Sequence, residues 1–459
     1  MSFREYLDSL KDKRVAVIGA GISNTPLIEA LLSSGIDTTI CDRQNRVEMG
    51  EKADGFEELG GKLRLGEDYL KNLDADVIFR TPGLMPWNDA LREAVSRGAL
   101  LTSEMEVFFE LCPCKIIAVT GSDGKTTTTT IISEMLKKEG KNVHLGGNIG
   151  NPLLCEADHM EKDDIVVLEL SSFQLISMKK SPDIAVITNI SPNHLDVHRD
   201  YEEYIEAKKC IFINQSNSGR VVLNYDNDIT RSFANTALGD VLFFSRFEKA
   251  IDGFYVDDGV IYESIDNNSD ALMSCGDVLL PGVHNIENYM AAFAAVRGLV
   301  EYETMIEIAR TFGGVPHRIE LVRQLRGVRY YNDSIASSPS RTIAGLRAFN
   351  QKVILIAGGK DKGIEFEELG KEIIKHVKTL VLTGLTAETI KNAIIDSSEF
   401  IDTPTIIMKE DFDEAVQAAS LAASDGDVVI LSPACTSFDR FKNFEERGDT
   451  FKNIVKGLI

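Results

Sequence analysis

The sequence lacks a long hydrophobic run, since no apolar stretch approaches the roughly 18 residues needed to cross a bilayer. The first residues, MSFREYLDSLKDKR, also lack the apolar core of a secretory signal. We therefore expect a cytoplasmic protein that is neither secreted nor inserted into a membrane.

Positive charge is also scarce. The chain has 49 Lys and Arg against 71 Asp and Glu, a formal net charge of −22. This balance argues against nucleic acid as a partner but allows a local basic pocket for phosphates. The 7 cysteines are odd in number. An odd number spread over a long chain fits reduced thiols, and Cys112 and Cys114, which have no second pair nearby for a metal site, are interpreted as structural.

What the 459 residues do contain is a repeated alternation of short apolar strands and helical stretches. This pattern predicts an α/β fold with mostly parallel sheets, and the length allows several domains. We predict three domains: a Rossmann-like one at 1–111, a central phosphate-loop (P-loop) ATPase-like one at 112–312, and a Rossmann-like one at 313–459. Alternating strands and turns at 219–280 predict an antiparallel addition to the central sheet.

The most informative stretch is IIAVTGSDGKTTTTTIISEMLKKEG, residues 116–140. It reads as a buried strand, a glycine turn at 121–124, and a helix that starts at Lys125. Backbone amides at a helix N-terminus bind phosphate, the lysine reaches the outer phosphates, and a threonine hydroxyl can ligate Mg²⁺. The order of elements therefore predicts a nucleotide-binding loop.

The match to the standard phosphate-loop pattern is incomplete, because Val119 stands where that pattern has its first glycine. A glycine-lysine-threonine triplet alone is weak evidence, and a plain strand–helix turn is the alternative. The strand before it and the helix after it favour nucleotide binding.

The first segment has a weaker nucleotide signal. A buried-strand pattern ends at Gly19, Gly21 follows, Asn24 occupies the third glycine position, and the next strand ends at Asp42. An acidic residue there usually meets a ribose. The incomplete fingerprint fits a single nucleotide or nucleotide-sugar better than a dinucleotide, and a scaffold without ligand is the alternative.

Polar side chains follow the apolar strands of the central segment. Glu169 and His194 come after two such strands, and Asn148 lies in a glycine-rich turn. Ligands bind beyond the carboxyl ends of parallel strands, and oxygen donors suit Mg²⁺. By spacing alone, Lys208 and Lys209 are a solvated helix face.

Two further groups are ambiguous by pattern. Asn285 and Asn288 lie three apart on one predicted helix, where the amides could read a base edge or cap the helix. In the last segment, Asp333 follows a strand, and the final loop carries Ser437.

Taken in order, the motifs resemble the Mur ligases. The stretches that carry the resemblance span all three segments: TGSDGKTTT, GGNIG, ELSSFQL, TNISPNHLDVH, YIEAK, GVHNIEN, GVPHRIE, YNDS, IAGGKDKG and LSPACTSFDRFKNFEERG. ELSSFQL and the final stretch resemble the D-glutamate-adding members in particular.

The resemblance implies an ATP-dependent amide ligase of peptidoglycan precursor synthesis. It would phosphorylate the terminal carboxylate of UDP-N-acetylmuramoyl-L-alanine and join D-glutamate to it. Its partners would be three small molecules, namely UDP-N-acetylmuramoyl-L-alanine, D-glutamate and ATP. We expect the protein to be a monomer. The residues that the resemblance assigns to ATP are Gly121, Ser122, Asp123, Gly124, Lys125, Thr126, Thr127, Asn285, Asn288, Arg318 and Asp333.

The resemblance also implies the metal and catalytic residues. Lys125, Glu169, His194 and Lys208 would be catalytic, and two Mg²⁺ ions would lie near Thr126, Glu169, His194 and Lys208. The Lys208 amine would be carbamylated, so that its new carboxylate helps hold the second ion, and Lys209 would be its solvated neighbour.

The remaining assignments concern the two other substrates. Ile22, Ser23, Asp42 and Asn148 would contact the UDP-sugar. Lys362, Ser437 and Phe444 would bind D-glutamate, the last through its backbone.

One position departs from the family pattern. Many members have lysine where this chain has Ile335, so a cation near the phosphates is lost unless Arg341 or another residue replaces it.

Two other hypotheses stay open at this point. The first is a sister ligase that adds a different amino acid, and the glutamate-pocket motif argues against it. The second is a nucleotide-sugar-binding protein without turnover, against which the intact lysines, glutamate and histidine argue.

Overall fold

The computed structural model describes residues 1–193, 197–249, 252–266, 268–361, 363–397, 400 and 403–459. By contacts, the chain divides into two units, Met1–Cys275 with Glu287–Ile308, and Gly276–Ile286 with Ala309–Ile459. The predicted domain boundaries stay a prediction. Among the described residues, none of the helices combines the length and apolar character that crossing a bilayer requires.

The first sheet has 5 parallel strands in the order β3-β2-β1-β4-β5. Its central strand reads VAVI and is buried along its whole length, as expected for a sheet covered on both faces. The strands are β1 (Val15–Ile18), β2 (Thr38–Asp42), β3 (Lys62–Leu65), β4 (Val77–Phe79) and β5 (Leu100–Thr102). The helices are α1 (Phe3–Ser9), α2 (Thr25–Ser33), α3 (Arg46–Met49), α4 (Glu51–Glu58), α5 (Asp89–Ser96) and α6 (Glu104–Leu111).

The second sheet has 9 strands in the order β14-β13-β12-β11-β10-β9-β6-β8-β7. The strands are β6 (Lys115–Thr120), β7 (Val143–Gly147), β8 (Ile165–Glu169), β9 (Ile184–Ile187), β10 (Arg220–Asn224), β11 (Asp240–Ser245), β12 (Gly253–Asp257), β13 (Val260–Ile265) and β14 (Asn268–Ser274). The helices from here to the last segment are α7 (Lys125–Lys138), α8 (Ser172–Leu175), α9 (Tyr201–Lys209), α10 (Asp228–Ser232), α11 (Val283–Val296) and α12 (Tyr302–Thr311).

The antiparallel addition to this sheet is shorter than predicted. β10 pairs in parallel with β9 and β11, and β11 pairs in parallel with β12, whereas the antiparallel pairs are β12–β13 and β13–β14. Parallel neighbours need a crossover connection, and α9 and α10 supply two of them. The sequence pattern suggested only turns where α10 lies, so that part of the prediction was wrong.

The strand register brings the ends of three central strands together. Val119 near the end of β6 pairs with Glu169 at the end of β8, and Thr120 pairs with Ile187 of β9. Side chains that follow β6, β8 and β9 therefore meet at one edge of the sheet, where ligands of α/β proteins bind.

The third sheet has 6 strands in the order β15-β16-β20-β17-β18-β19, and β15 is antiparallel to β16 while the others are parallel. The strands are β15 (Glu320–Leu325), β16 (Val328–Asn332), β17 (Val353–Ala357), β18 (Val377–Leu382), β19 (Thr405–Met408) and β20 (Val428–Leu431). The helices are α13 (Pro339–Arg347), α14 (Glu367–His376), α15 (Ala387–Ile395), α16 (Phe412–Leu421) and α17 (Phe444–Gly457). The predicted α/β class with mostly parallel sheets is thus confirmed.

Candidate active site

The loop between β6 and α7 can be built only with glycine at two of its positions. Gly121 has φ of +149° and Gly124 has φ of +79°. A Cβ at Gly121 would lie 1.9 Å from Oγ1 of Thr188, and one at Gly124 would lie 2.3 Å from Oδ1 of Asn288. The glycines therefore let the loop backbone approach Thr188 and Asn288 closely.

Lys125, the first residue of α7, turns back across this loop. Its Nζ donates to the carbonyl oxygens of Gly121 and Ser122, both at 2.9 Å. The ammonium group thus lies over the loop at the positive end of a helix of 14 residues. Helix dipole and side-chain charge add up there to favour an anion.

Glu169 is buried at the end of β8 and binds two of the other predicted residues. Its Oε2 accepts a hydrogen bond from the Thr126 hydroxyl at 2.7 Å, and its Oε1 accepts one from the Asn148 amide at 2.8 Å. Two residues, one from the first turn of α7 and one from the turn after β7, therefore converge on one carboxylate.

Lys208 lies inside the protein, which corrects the solvated face expected from spacing. It is 2% exposed, and its Nζ donates to the Gly121 carbonyl at 2.7 Å and to Oγ1 of Thr120 at 3.3 Å. Burial, and next the nearby Lys125, lower the pKa of this amine well below its ordinary value, while Glu169 opposes the shift. The neighbouring Lys209 is half-buried, and its Nζ lies 3.3 Å from Oε1 of Glu206.

The donors at this edge of the sheet fit a hard cation. The Thr126 hydroxyl and the Glu169 carboxylate are oxygen ligands within 2.7 Å of each other, which is the chemistry that Mg²⁺ prefers. Within the described part of the chain, no group of three or more His, Cys, Asp or Glu side chains could hold a metal. The predicted ligand His194 lies outside the described residues.

Asn285 and Asn288, both on α11, make different contacts. Oδ1 of Asn288 accepts a hydrogen bond from the Thr128 hydroxyl at 3.3 Å, which ties α11 to α7. Nδ2 of Asn285 donates to the carbonyl of Pro281 at 2.6 Å, just before the helix starts.

In the first sheet, Asp42 closes the loop between β1 and α2. Its Oδ2 accepts from the Ala20 amide at 2.7 Å and its Oδ1 from the Gln44 amide at 2.8 Å. Ile22, at the crest of the loop, is 83% exposed, and Ser23 is half-buried.

Asn24, at the position where the dinucleotide fingerprint has its third glycine, stabilises the loop through its side chain. Its Nδ2 donates to the carbonyls of Ile18 and Gly19, at 3.1 and 3.0 Å. The side chain thus binds the loop's own backbone.

In the third sheet, Asp333 is buried just after β16. Its Oδ2 accepts from the Ser432 hydroxyl at 2.7 Å, and its Oδ1 accepts from the Ile319 amide at 3.3 Å. Burial raises the pKa of this carboxyl to about 7, against the opposing effect of its hydrogen bonds and of Arg318 and Arg341. A carboxyl in such a site can change protonation near neutral pH.

Arg341 lies beside the position that departs from the family pattern. Its Nη1 donates to the Ile335 carbonyl at 3.2 Å. A guanidinium group therefore lies next to the backbone of the residue that replaces the usual lysine.

The residues predicted to bind D-glutamate lie around the start of α17 and the loop after β20. Ser437 is buried in that loop, and Phe444 is the first residue of α17, with its carbonyl accepting from the Ser334 hydroxyl at 2.8 Å. Lys362 lies outside the described residues.

Comparison with known families gives two matches. Residues 119–296 match the Mur ligase middle domain, and residues 317–435 match the Mur ligase, glutamate ligase domain. The chain belongs to the Mur ligase family. The resemblance inferred from the motifs is thereby confirmed, and the protein is a ligase of a family that uses ATP, generally with Mg²⁺.

Similar proteins extend this match over the whole chain. A UDP-N-acetylmuramoylalanine--D-glutamate ligase of Ruminiclostridium cellulolyticum is 51% identical over 461 residues, covering 99% of this chain and 98% of its own. One of the same name from Acetivibrio thermocellus is 51% identical over 459 residues, with the same coverage.

Solved structures show the same fold at much lower identity. The UDP-N-acetylmuramate-alanine ligase of Thermotoga maritima has a TM-score of 0.56 at 18% identity, covering 97% of this chain and 99% of its own. A pseudomurein peptide ligase type C of Methanothermus fervidus has a TM-score of 0.53 at 20% identity, covering 97% of this chain and 100% of its own.

Within this Mur ligase, sequence analysis missed the aromatic support of the buried lysine. The ring centre of Tyr204, one helical turn before Lys208, lies 4.8 Å from Nζ, and the Tyr204 hydroxyl is 2.8 Å from Oγ of Ser122. The spacing of four residues in YIEAK could have suggested that both side chains lie on one face of the helix.

Sequence analysis also missed Arg80, which follows β4 and is buried. Its Nη2 donates to the Phe173 carbonyl at 2.9 Å and to the Ser177 hydroxyl at 2.7 Å. It therefore ties the first sheet to the segment that follows Glu169. An arginine directly after an apolar strand, in VIFRTPG, was the available signal.

Proposed function

We propose that this Mur ligase joins D-glutamate to UDP-N-acetylmuramoyl-L-alanine at the expense of ATP, in the synthesis of peptidoglycan precursors. The observation that carries the proposal is the 51% identity, over 99% of the chain, to ligases named for that reaction. The convergence of Lys125, Thr126 and Glu169 on one loop supports the ATP-dependent part of it.

The reaction proceeds in two steps. The terminal carboxylate of the nucleotide substrate attacks the γ-phosphorus of ATP, the bond to the β-phosphate oxygen breaks, and ADP leaves an acyl phosphate. The amine of D-glutamate then attacks the acyl carbon, and the tetrahedral intermediate expels phosphate, loses a proton and becomes the amide. Positioning and charge neutralisation dominate phosphoryl transfer.

The residues around the loop meet the first of these demands. The amides of residues 121–127 and the Lys125 ammonium bind the ATP phosphates, where the helix N-terminus adds to the positive potential. Two anions, a carboxylate and a γ-phosphate, must approach each other here. Bound Mg²⁺ would screen their mutual repulsion, and Thr126 with Glu169 would hold the first of two ions.

Lys208 and His194 would hold the second ion. Burial lowers the pKa of the Lys208 amine well below its ordinary value, which makes the nitrogen lone pair more available to add to the carbon of CO₂. Loss of one proton then leaves a carbamate, whose oxygens suit Mg²⁺ where the amine would not. The burial of Lys208 among backbone carbonyls supports this modification.

The other substrate contacts follow the assignments made from the motifs. Ile22, Ser23, Asp42 and Asn148 bind the UDP-sugar, and Lys362, Ser437 and Phe444 bind D-glutamate. The further ATP contacts are Asn285, Asn288, Arg318 and Asp333. The ligase acts as a monomer on small molecules, and its free cysteines fit the reducing cytoplasm.

The test is ADP release by the purified protein with UDP-N-acetylmuramoyl-L-alanine, ATP and Mg²⁺. D-glutamate is compared with L-glutamate, L-alanine and meso-diaminopimelate. Release that depends on D-glutamate alone is the expected result. Release with another amino acid would keep the ligase chemistry and make the protein a sister ligase. Binding of the uridine nucleotide without any release would contradict the proposal.

A further inference from the structure

Arg447, in the first turns of α17, is a buried cation with an unusual set of partners. It is 2% exposed, and no carboxylate among the described residues lies within ion-pair distance of it. Burial lowers the pKa of its guanidinium to about 10. Placing a charge in the interior without an ion-pair partner is unfavourable, so we infer that hydrogen bonds retain it there.

Those hydrogen bonds go to two loops at the carboxyl ends of strands. Nε donates to Oγ of Ser334 at 3.0 Å, and Nη2 donates to the carbonyls of Ser334 and Cys435, at 2.9 and 3.1 Å. One planar group therefore connects the turn after β16 to the loop after β20.

Ser334 extends the connection to a third segment. While its hydroxyl oxygen accepts from Arg447, its proton is donated to the carbonyl of Phe444 at 2.8 Å. The start of α17 is thus held through a two-step relay. Nη1, which has no hydrogen-bond partner among the described residues, lies beside a fourth segment: a Cβ at Gly359 would come within 3.3 Å of it.

We propose that Arg447 is a positioning residue for the acceptor amino acid. This inference rests on the proposed function, because the segments it joins carry the residues assigned to D-glutamate. Ser437 follows Cys435 by two positions, and the Phe444 carbonyl accepts a hydrogen bond from the Ser334 hydroxyl at 2.8 Å. The guanidinium fixes the separation of these groups without touching the substrate.

The decisive variant is Arg447→Lys, which keeps the charge but loses the planar fork that serves three acceptors. Because lysine cannot make all of the hydrogen bonds that hold the loops, the KM for D-glutamate should rise about tenfold or more. The KM for ATP should change less than about twofold. Ser334→Ala removes only the relay to Phe444 and should move the same KM in the same direction.

Arg323→Lys is the matched control. Arg323 Nη1 donates to the carbonyls of Val455, Lys456 and Leu458, so it also holds α17 by three backbone oxygens, but at the opposite end of the helix. We expect this variant to lower the thermal midpoint and leave both KM values unchanged.

The outcomes distinguish a failure of the proposed ligase reaction from a failure of the proposed role of Arg447. Wild-type protein that uses none of the amino acids would overturn the proposed function and this inference with it. Wild-type protein that turns over, combined with an Arg447→Lys variant that behaves like Arg323→Lys, would overturn the inference alone. If Arg447→Lys does not fold, Ser334→Ala decides: an unchanged KM for the amino acid is then the contradicting result.

Discussion

Two loops of this Mur ligase follow the same plan, strand, glycine turn and helix, yet carry opposite charge. Between β1 and α2, the Asp42 carboxylate accepts the amides of Ala20 and Gln44. Between β6 and α7, the Lys125 ammonium donates to two loop carbonyls. We propose that the shared topology sets where a ligand binds, and that the side chain at the loop sets which part of a nucleotide is bound.

The physical reason is the sign of the local potential. A carboxylate accepts hydrogen bonds from ribose hydroxyls but repels phosphate, whereas an ammonium at a helix N-terminus attracts phosphate. One scaffold can therefore recognise the nucleoside of one substrate and the phosphates of another. Single substitutions in each loop can test whether each loop serves only one of the two nucleotides.

Lys125→Ala should have the largest effect. Removing the cation over the phosphate loop leaves the transferred charge unscreened, so ADP release should fall by roughly a thousandfold. The affinity for the uridine nucleotide, measured by calorimetry, should stay the same. Lys137→Ala, on the exposed face of the same helix, is the control. A parallel loss of uridine nucleotide affinity would show that the two loops are not independent.

Lys208→Ala tests whether the buried lysine acts as an amine or as a carbamate. Turnover should fall by roughly a hundredfold. Added acetate should restore part of it, because a small carboxylate can replace the lost oxygens, and methylamine should not. Lys209→Ala, at the next position, should remain fully active. Restoration by methylamine instead would mean that the unmodified amine does the work.

Asp42→Asn tests the other loop and should have a smaller effect. The amide side chain keeps one acceptor oxygen but loses the charge, so the dissociation constant of the uridine nucleotide should rise about tenfold. The KM for ATP should not change. Asp37→Asn, a surface partner of Lys62 near the start of the same strand, is the control. A change in the ATP constant would contradict the division of labour.

The sequence predicts local structure at both loops, but it does not predict which charged side chains are buried. Both strand–glycine–helix units were predictable, because buried strands, turn glycines and helix starts are local signals. The burial of Lys208 was not, because the YIEAK helix has polar residues on several faces and only tertiary packing decides which face is covered. The burial of Arg447 was not predictable for a similar reason, because nothing in FEERG distinguishes a buried arginine from an exposed one.

The sheet shows the same limit. The parallel pairing of β10 and β11 depends on α10, a helix of 5 residues whose pattern is too short to separate from a turn. Residue roles that came from the resemblance, such as that of Asp42, stay predictions until the variants are measured.

Glu104→Gln should affect stability rather than activity or nucleotide binding. It distinguishes a carboxylate in the core from the Asp42 carboxylate at the loop after β1. Glu104 is buried at the start of α6, and its Oε1 accepts from the Leu154 amide at 3.1 Å. Burial raises the pKa of this carboxyl from 4.5 to about 7. Ionising it in the folded protein therefore costs free energy that is absent below pH 4.5 and grows until the pH passes 7.

The glutamine variant has no charge to bury, so its stability relative to wild type should improve between pH 5 and pH 8, by up to about 3 kcal/mol. Thermal midpoints at both pH values measure this, with Glu110→Gln on the exposed face of the same helix as control. Any packing cost of the extra amide hydrogens is the same at both pH values, so only the change in the difference matters. A difference that does not move with pH would show that Glu104 stays in one protonation state throughout.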